Sequence, residues 1–334
     1  EPADIASHVG AHPAQGRLKT ASTGKGDMEI REHGVDDMRE LAPLYNAQVA
    51  ATPFCYPVSS DEFADGVTAW AHPELSGRMR DQTVFVAVER GQPIGFAHIT
   101  MGRVLEEWSD DAQIDCGAIR FIAYPPGRRD VGQRLIDAAQ RRLTDLGASR
   151  IHAYTKATAY RFYQLGFGML STGVGHVVGL LGMNGYTVRR GEYFLYRPDM
   201  DPTVPTPPDP SAKVVVERAD GRGDLPNLVV KARQDDTDIG ACECKSAGSY
   251  ADSPDAQRLL YVDWLGVATE FQGQGWGRYL LFRALAEGHD VGYEHAAIGT
   301  DWQNYRALLL YANYGFGVTN YAYDFYKAAT PDVS

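Results

Sequence analysis

The sequence predicts an α/β (α+β) protein with two similar domains, each a mixed, mostly antiparallel twisted sheet flanked by helices. The chain has 334 residues, whereas single hydrophobic cores rarely grow beyond about 250–300 residues. Six prolines from Pro198 to Pro210 divide it past the middle. The same order of predicted elements occurs on both sides, and Gly166-Phe167 is repeated by Gly315-Phe316. Repetition at this long period indicates duplicated α/β domains rather than a solenoid.

These observations divide the chain into four segments. Residues 1–27 lack periodicity and are rich in small residues, which predicts a flexible N-terminal tail. Residues 28–198 form the predicted N-terminal domain, and residues 213–328 form the predicted C-terminal domain. Residues 199–212 predict a stiff, extended linker, because each proline removes an amide donor and fixes φ.

Hydrophobic periodicity, together with residues that start and stop helices, predicts the elements of the N-terminal domain. The predicted strands are 28–32, 83–88, 94–100, 114–123, 150–154 and 193–197. The predicted helices are 36–51, 61–71, 131–146 and a short helix at 160–165. Gly147 and Gly166 are expected to end the last two helices, because glycine adopts a left-handed C-cap at low cost.

The C-terminal domain repeats this order in shortened form. The predicted strands are 214–217, 228–233, 239–245, 259–267, 295–300 and a last strand opened by Phe316. The predicted helices are 275–287, ended by Gly288, and 304–314, ended by Gly315. The segment between Glu217 and Leu228 is too short for a helical region like residues 36–71 of the first domain.

The composition predicts a soluble, acidic protein. A formal net charge of −11 argues against binding to a nucleic-acid backbone and mildly favours a cationic partner. No apolar stretch approaches the roughly 18 residues of a membrane helix, so we expect no membrane contact and a cytoplasmic location. The four cysteines are too scattered for a disulfide scaffold. His289 and His295 have no carboxylate at ligand spacing, so no metal site is expected.

The strongest chemical signal is the glycine-rich turn Gln272-Gly-Gln-Gly-Trp-Gly-Arg278, between a predicted strand and a predicted helix. Its glycines allow backbone amides to approach an anion without interference from a Cβ atom. The free donors and the dipole of the helix N-terminus add attraction for a diphosphate. A turn that only tightens the strand–helix junction is the alternative. The spacing of Gly273, Gly275 and Gly277 does not fit the dinucleotide-binding fingerprint.

The pattern Gln272-x-x-Gly275-x-Gly277, together with the later Asn304-x6-Tyr311-x3-Gly315-Phe316, resembles the GCN5-related N-acetyltransferase (GNAT) superfamily, as a tandem, two-domain member. The resemblance implies acetyl-CoA, or another acyl-CoA, with its pantetheine arm inserted like an extra strand beside Leu265-Gly-Val267. It implies that the pyrophosphate lies on the amides of residues 272–278. The implied cofactor-binding residues are Leu265, Val267, Gln272, Gly273, Gln274, Gly275, Trp276, Gly277, Arg278 and Asn304.

The resemblance also implies that Tyr311 is the general acid that protonates the departing thiolate. The alternative is that Tyr311 is one of 19 tyrosines and simply packs in a helix. For a general base, Asp263 is the best carboxylate on the cofactor strand, because alternation predicts that it shares a face with Leu265 and Val267. Glu243 or a chain of waters remains an alternative base.

The N-terminal copy carries a weakened motif, Arg129-x-x-Gly132-x-Arg134. A large side chain at Arg134 is expected to crowd a pyrophosphate. Phe162 stands at the position of the general-acid tyrosine and has no proton to give. Whether Arg128 and Arg129 hold phosphate or form a solvated turn remains open.

We therefore predict an N-acetyltransferase that acetylates an amine of a small molecule or peptide, with an active C-terminal copy. The two halves are expected to pack together, with the N-terminal copy structural or forming part of the acceptor site; a homodimer is also possible. One alternative is a non-catalytic acyl-CoA-binding or regulatory protein. Another is a relative that uses charged tRNA, but the acidic balance counts against it.

Overall fold

The structure, a computed structural model, describes residues 28–33, 35–68, 79–103, 115–200 and 203–328. The predicted N-terminal tail lies outside these ranges. The N-terminal copy contains β1 (Met28–His33), α1 (Ala42–Val49), α2 (Ser60–Thr68), β2 (Met79–Glu89), β3 (Gln92–Arg103), β4 (Asp115–Ala123), α3 (Arg129–Asp145), β5 (Arg150–Ala153), β6 (Leu170–Ser171), α4 (Gly175–Met183) and β7 (Thr187–Arg197). A 3₁₀ turn, Val35–Leu41, leads into α1.

The C-terminal copy follows residues 203–212, a described stretch that contains no helix or strand. It contains β8 (Lys213–Ala219), β9 (Asn227–Gln234), β10 (Thr237–Ser246), α5 (Pro254–Gln257), β11 (Leu259–Val267), α6 (Trp276–Val291), β12 (His295–Asp301), α7 (Tyr305–Asn313) and β13 (Gly317–Ala328). The mixed α/β class predicted from the sequence is confirmed. Within the described ranges, none of the helices is both long enough and apolar enough to span a bilayer.

The two copies share one continuous sheet, with the strand order β1-β2-β3-β4-β5-β13-β7-β12-β11-β10-β9-β8. The pairs β4–β5 and β11–β12 are parallel, and the other pairs are antiparallel. The last strand of each copy lies beside a strand of the other, because β13 pairs with β5 and β7 pairs with β12. Each copy therefore completes the sheet of the other by strand exchange.

The C-terminal part of the sheet has two distinct faces. One face, which we call the α6 face, packs Leu260, Val262 and Leu195 against the apolar side of α6. On the opposite face, which we call the far face, Leu259 and Tyr261 join a core cluster that also contains residues of the N-terminal copy. Alternation of side chains along each strand produces this division.

The two copies also pack against each other through polar contacts. Arg161 of the N-terminal copy donates to the carbonyl of Tyr250 at 2.8 Å, and Glu62 on α2 accepts from the amide of Asp252 at 2.8 Å. Ala247 and Tyr261 belong to the same hydrophobic cluster as the helices of the N-terminal copy. The expectation that the halves pack together is confirmed.

Two local predictions are wrong. Residues 160–165 form turns and not a helix, because Gln164 and Leu165 have positive φ values of 47° and 57°, which a right-handed helix excludes. Gly288 lies inside α6, which continues to Val291 and is capped by Gly292 with φ 110°. Glycine tolerates this left-handed conformation, so the helix ends there.

Candidate functional site

The glycine-rich turn owes its shape to two left-handed residues. Gly273 has φ 77° and Gly275, the N-cap of α6, has φ 96°. A Cβ atom at Gly273 would have no heavy atom within 4 Å, and one at Gly275 would only touch Pro208 at 3.7 Å. Glycine is therefore required here by backbone conformation, and not by lack of space.

The backbone amides at the start of α6 have no acceptor within the helix. The amide of Tyr279 donates to the carbonyl of Gly275 at 3.0 Å. The amides of Trp276, Gly277 and Arg278 come before this first bond of the helix and are among its free N-terminal donors. Together with the dipole of a 16-residue helix, they form a site suited to an anion.

Two glutamine side chains hold the turn in place. Gln272 donates to the carbonyl of Val267 at 3.0 Å and accepts from Arg306 at 2.8 Å. Gln274 donates to the carbonyl of Glu270 at 2.9 Å. Their side chains therefore shape the turn, and the backbone remains the part that can bind a ligand.

A cleft of about 730 Å³ opens in front of this turn, between the end of β11 and α7. Eight of the ten predicted cofactor-binding residues line it: Leu265, Val267, Gln272, Gly273, Gly275, Gly277, Arg278 and Asn304. Gln274 does not line it, and the side chain of Trp276 is buried in the α6 core cluster. The contribution of Trp276 is thus limited to its backbone amide.

β11 and β12 separate beside the cleft. They pair only from Leu259 with His295 to Val262 with Ile298. β11 continues to Val267 and β12 to Asp301 without further pairing between them. The resulting gap, between residues 263–267 and 299–301, exposes strand backbone to an extended ligand.

Tyr311 lies in the wall of the cleft, on the α6 face. Its side chain is 5% exposed and belongs to the α6 core cluster. Burial, with smaller contributions from Cys242 and Glu192, raises the pKa of Tyr311 well above its usual value. The phenol therefore keeps its proton at neutral pH.

Asp263 does not share a face with Leu265, so that prediction is wrong. Val262 pairs with Cys244 and Trp264 pairs with Glu243, which leaves Asp263 as the extra residue of a β-bulge. The bulge interrupts the alternation, and Val262 and Leu265 both pack in the α6 core cluster although they are three residues apart. Asp263 faces away from that cluster, with Oδ2 2.7 Å from Nζ of Lys245.

Asn304 and Asp301 have separate tasks at the start of α7. The Asn304 side chain caps this helix by accepting from the amide of Ala307 at 3.1 Å. Asp301 does not cap the helix, but accepts from the amide of Gln303 at 2.9 Å and pairs with Arg190 at 3.0 Å. Asn304 thus lines the cleft because it is the N-cap residue of α7, which forms one side of the cleft.

The sequence reasoning missed Glu192, a residue of β7. Glu192 is 3% exposed, pairs in register with Asp301 of β12, and lies beside the gap. Glu192 belongs to the N-terminal copy by its position in the chain, and the pairing of β7 with β12 brings it to the gap of the C-terminal copy. The predicted strand also began at residue 193, whereas β7 begins at Thr187, so Glu192 fell outside the prediction.

The same gap in the N-terminal copy is filled by its own side chains. The hydroxyl of Tyr154 accepts from the amide of Ile122 at 2.9 Å and donates to its carbonyl at 3.0 Å. A Cβ at Gly132 would lie 2.6 Å from the ring of Tyr124, so this ring covers the start of α3. Arg134 turns away and donates to the carbonyl of Met28 at 2.6 Å, so the predicted crowding by Arg134 is wrong.

Arg128, one of the two arginines left open as phosphate ligands, is already bound to carboxylates. It lies 3.0 Å from Glu89 and 3.1 Å from Asp130. Arg129 lines a cleft of about 300 Å³ with Tyr124 and His176. In the parts of the chain that the structure describes, no three His, Cys, Asp or Glu residues are grouped so that they could hold a metal ion.

The chain matches the model of the Acetyltransferase (GNAT) family twice, over residues 41–167 and 193–316. These matches span most of the sequence, and the chain belongs to the GNAT family, with its domain present in tandem. None of the curated protein sequences matches the chain. Membership of the family supports acyl transfer as the general activity.

Solved structures share the fold across both copies. A tandem GNAT protein from the clavulanic acid biosynthesis pathway superposes with a TM-score of 0.63 at 12% identity, covering 92% of this chain and 100% of that one. A GCN5-related glucosamine N-acetyltransferase region of a fungal multi-domain GH3 β-N-acetylglucosaminidase superposes with a TM-score of 0.65 at 15% sequence identity. The match covers 91% of this chain and 38% of that one. A GCN5-related N-acetyltransferase from Sphaerobacter thermophilus superposes with a TM-score of 0.60 at 14% sequence identity, and the match covers 92% of this chain and 97% of that one. At these identities the likeness shows the fold alone.

Proposed function

We propose that this chain is an acetyl-CoA-dependent N-acyltransferase whose C-terminal copy acetylates an amine of a small molecule or peptide by direct transfer. The observation that carries the proposal is the set of unbonded amides at the start of α6, facing a cleft of about 730 Å³ that leads to the gap beside β11. Family membership supplies the acyl-transfer chemistry to which this geometry is suited.

The cleft offers groups for two parts of coenzyme A, the diphosphate and the pantetheine arm. The amides of Trp276, Gly277 and Arg278 are placed to donate hydrogen bonds to a diphosphate, and Arg278 and Arg306 line the same cleft. The gap that follows accommodates an extended pantetheine arm along residues 263–267. The carbonyl of Val267 is already bonded to Gln272, so the arm bonds other backbone groups of this stretch.

Tyr311 serves as the general acid in this proposal. When bound, the acyl-CoA supplies an activated thioester carbonyl, and the chain positions an amine against it. The phenol of Tyr311 lies in the cleft wall and keeps its proton, so it can protonate the departing sulfur. The N-terminal copy is structural at its own gap, because Tyr154 and Tyr124 occupy the corresponding places.

Calorimetric titration with coenzyme A, followed by an assay of free thiol release from acetyl-CoA, tests the proposal. The acceptor panel contains alkylamines, amino sugars and peptide amines; the amino sugars are included because one protein of similar fold acts on glucosamine. We expect binding, and thiol release that depends on the amine. Binding without release from any acceptor would favour a non-catalytic acyl-CoA-binding protein, and absence of binding would rule out both.

A further inference from the structure

Strand exchange brings a buried carboxylate to the point where β11 and β12 separate. Gly299 is the first residue of β12 after its last pair with β11. A Cβ atom at Gly299 would lie 3.0 Å from Oε1 of Glu192. The carboxylate of Glu192 therefore rests directly on the β12 side of the gap, where glycine leaves room for it.

Glu192 and Tyr311 lie on opposite faces of the sheet at this gap. Along β7, Glu192 and Phe194 alternate with Tyr193 and Leu195, and the latter two pack with the α6 core cluster. Glu192 therefore points to the far face, whereas Tyr311 lies on the α6 face. The negative charge of Glu192 contributes to the raised pKa of Tyr311, so the two groups are within electrostatic range of each other.

Three other carboxylates lie near the gap, those of Asp263, Asp301 and Glu243. Asp263 pairs with Lys245 at 2.7 Å. Asp301 accepts from the amide of Gln303 with Oδ1 and from Arg190 with Oδ2. Glu243, the alternative base suggested by the sequence, is exposed on β10. Among these carboxylates, that of Glu192 lies beside the first residue of β12 after its pairing with β11 ends.

Arg190 lies between this carboxylate and that of Asp301. Its Nε lies 3.0 Å from Oδ2 of Asp301, and its Nη2 lies 3.6 Å from Oε2 of Glu192. Arg190 and Glu192 are both on β7, and Asp301 is on β12. The ion pairs of Arg190 therefore connect β7 to the end of β12 that borders the gap. Burial and the neighbouring guanidinium together restrict the Glu192 side chain, which reduces the entropy that it loses when a substrate binds.

We propose that Glu192, carried on the strand that the N-terminal copy contributes, is the general base of the C-terminal site. This inference rests on the proposed function. The amine reaches the gap as an ammonium ion and gives one proton to the Glu192 carboxylate. Its nitrogen then forms a bond to the thioester carbon, and the bond from carbon to sulfur breaks. The sulfur takes the phenolic proton of Tyr311, and the second proton lost from nitrogen restores the phenol. Glu192 finally releases its proton to solvent.

The test is Glu192→Gln in the full chain, assayed with acetyl-CoA and the best amine of the panel. The substitution keeps the volume of the side chain and removes its basicity. We expect coenzyme A affinity to stay within about twofold and kcat to fall by about 100-fold or more, the range of a lost general base. The acidic limb of the kcat/KM profile against pH should disappear. The other ionisable groups near this carboxylate, on either face of the sheet, are Arg190, Asp301, Tyr261 and Tyr311.

Controls separate the base from a structural carboxylate. Glu217→Gln, at an exposed carboxylate on β8 paired with Lys231, should leave kcat and the pH profile unchanged. Glu192→Ala should regain part of its activity with added formate, which a purely structural role does not predict. Retention of wild-type kcat and of the acidic limb in Glu192→Gln would overturn the role of Glu192 while leaving the proposed function intact. A wild-type chain that releases no thiol with any amine would overturn the proposed function and this inference with it.

Discussion

The two copies share one fold around the gap that follows their parallel strand pair, but the gap is closed in one and open in the other. In the N-terminal copy, the hydroxyl of Tyr154 bonds both backbone groups of Ile122. In the C-terminal copy, the gap adjoins a cleft of about 730 Å³ whose wall contains Tyr311. A tyrosine thus lies at the gap of each copy. Tyr154 fills the gap in the N-terminal copy, and Tyr311 lies in the wall of the open cleft in the C-terminal copy.

The difference between the closed and the open gap indicates that the two copies of the duplicated domain have different roles. The closed copy keeps the fold and a well-packed core, and contributes β7 to the open copy. The open copy in turn contributes β13, which pairs with β5 and β7. Because each sheet depends on a strand of the other, neither copy can be lost without exposing unpaired strand edges.

The largest expected effect concerns this exchange. A fragment of residues 213–334 lacks β7, so the edges of β12 and β13 that pair with it would be exposed. We expect this fragment to aggregate or to show no cooperative thermal unfolding by circular dichroism. A fragment of residues 187–334, which retains β7, is the matched control and should be better folded. Cooperative unfolding and full coenzyme A binding by the shorter fragment would show that the copies are independent.

The two tyrosines allow the comparison to be sharpened. Tyr311→Phe should lower kcat by about 100-fold with little change in stability, since it removes the proton donor. Tyr154→Phe should lower the free energy of unfolding by about 1–3 kcal/mol, because two buried backbone groups lose their partner, and should leave kcat unchanged. Thiol-release kinetics and urea denaturation of both variants check this. The assignment fails if the two variants show the same effects.

The glycine turns offer a matched pair for binding. Gly273 in the C-terminal copy and Gly127 in the N-terminal copy both have positive φ, 77° and 86°, and a Cβ at either would have no heavy atom within 4 Å. Substitution by Trp should strain both turns equally. Gly273→Trp should weaken coenzyme A binding by at least about 10-fold, or about 1.4 kcal/mol, while Gly127→Trp should not. Calorimetric titration decides, and equal losses would mean that both copies bind the ligand.

The sequence predicted the features that depend on residues close together in the chain. It missed the features that depend on contacts between residues far apart in the chain. Most strands and helices, and the glycines at positions 273 and 275, follow from periodicity and from local backbone needs. The bulge at Asp263 depends on the register with β10, which no single segment encodes. The place of Glu192 depends on which strand β7 pairs with, and the plug formed by Tyr154 depends on a contact with Ile122, 32 residues away.

The last effect we expect is a difference in acid sensitivity. Burial, with the charges of Arg189 and Arg150, lowers the pKa of His152 on β5 from 6.5 to about 4. Between these values the unfolded chain binds the proton more readily, so stability is full above pH 6.5, falls as the pH drops towards 4, and then levels off. The loss is at most about 3 kcal/mol. His152→Gln should flatten the dependence of urea stability on pH in this window, whereas His289→Gln, at an exposed position of α6, should not. An unchanged slope in His152→Gln would show that His152 already binds its proton in the folded chain as it does in the unfolded one.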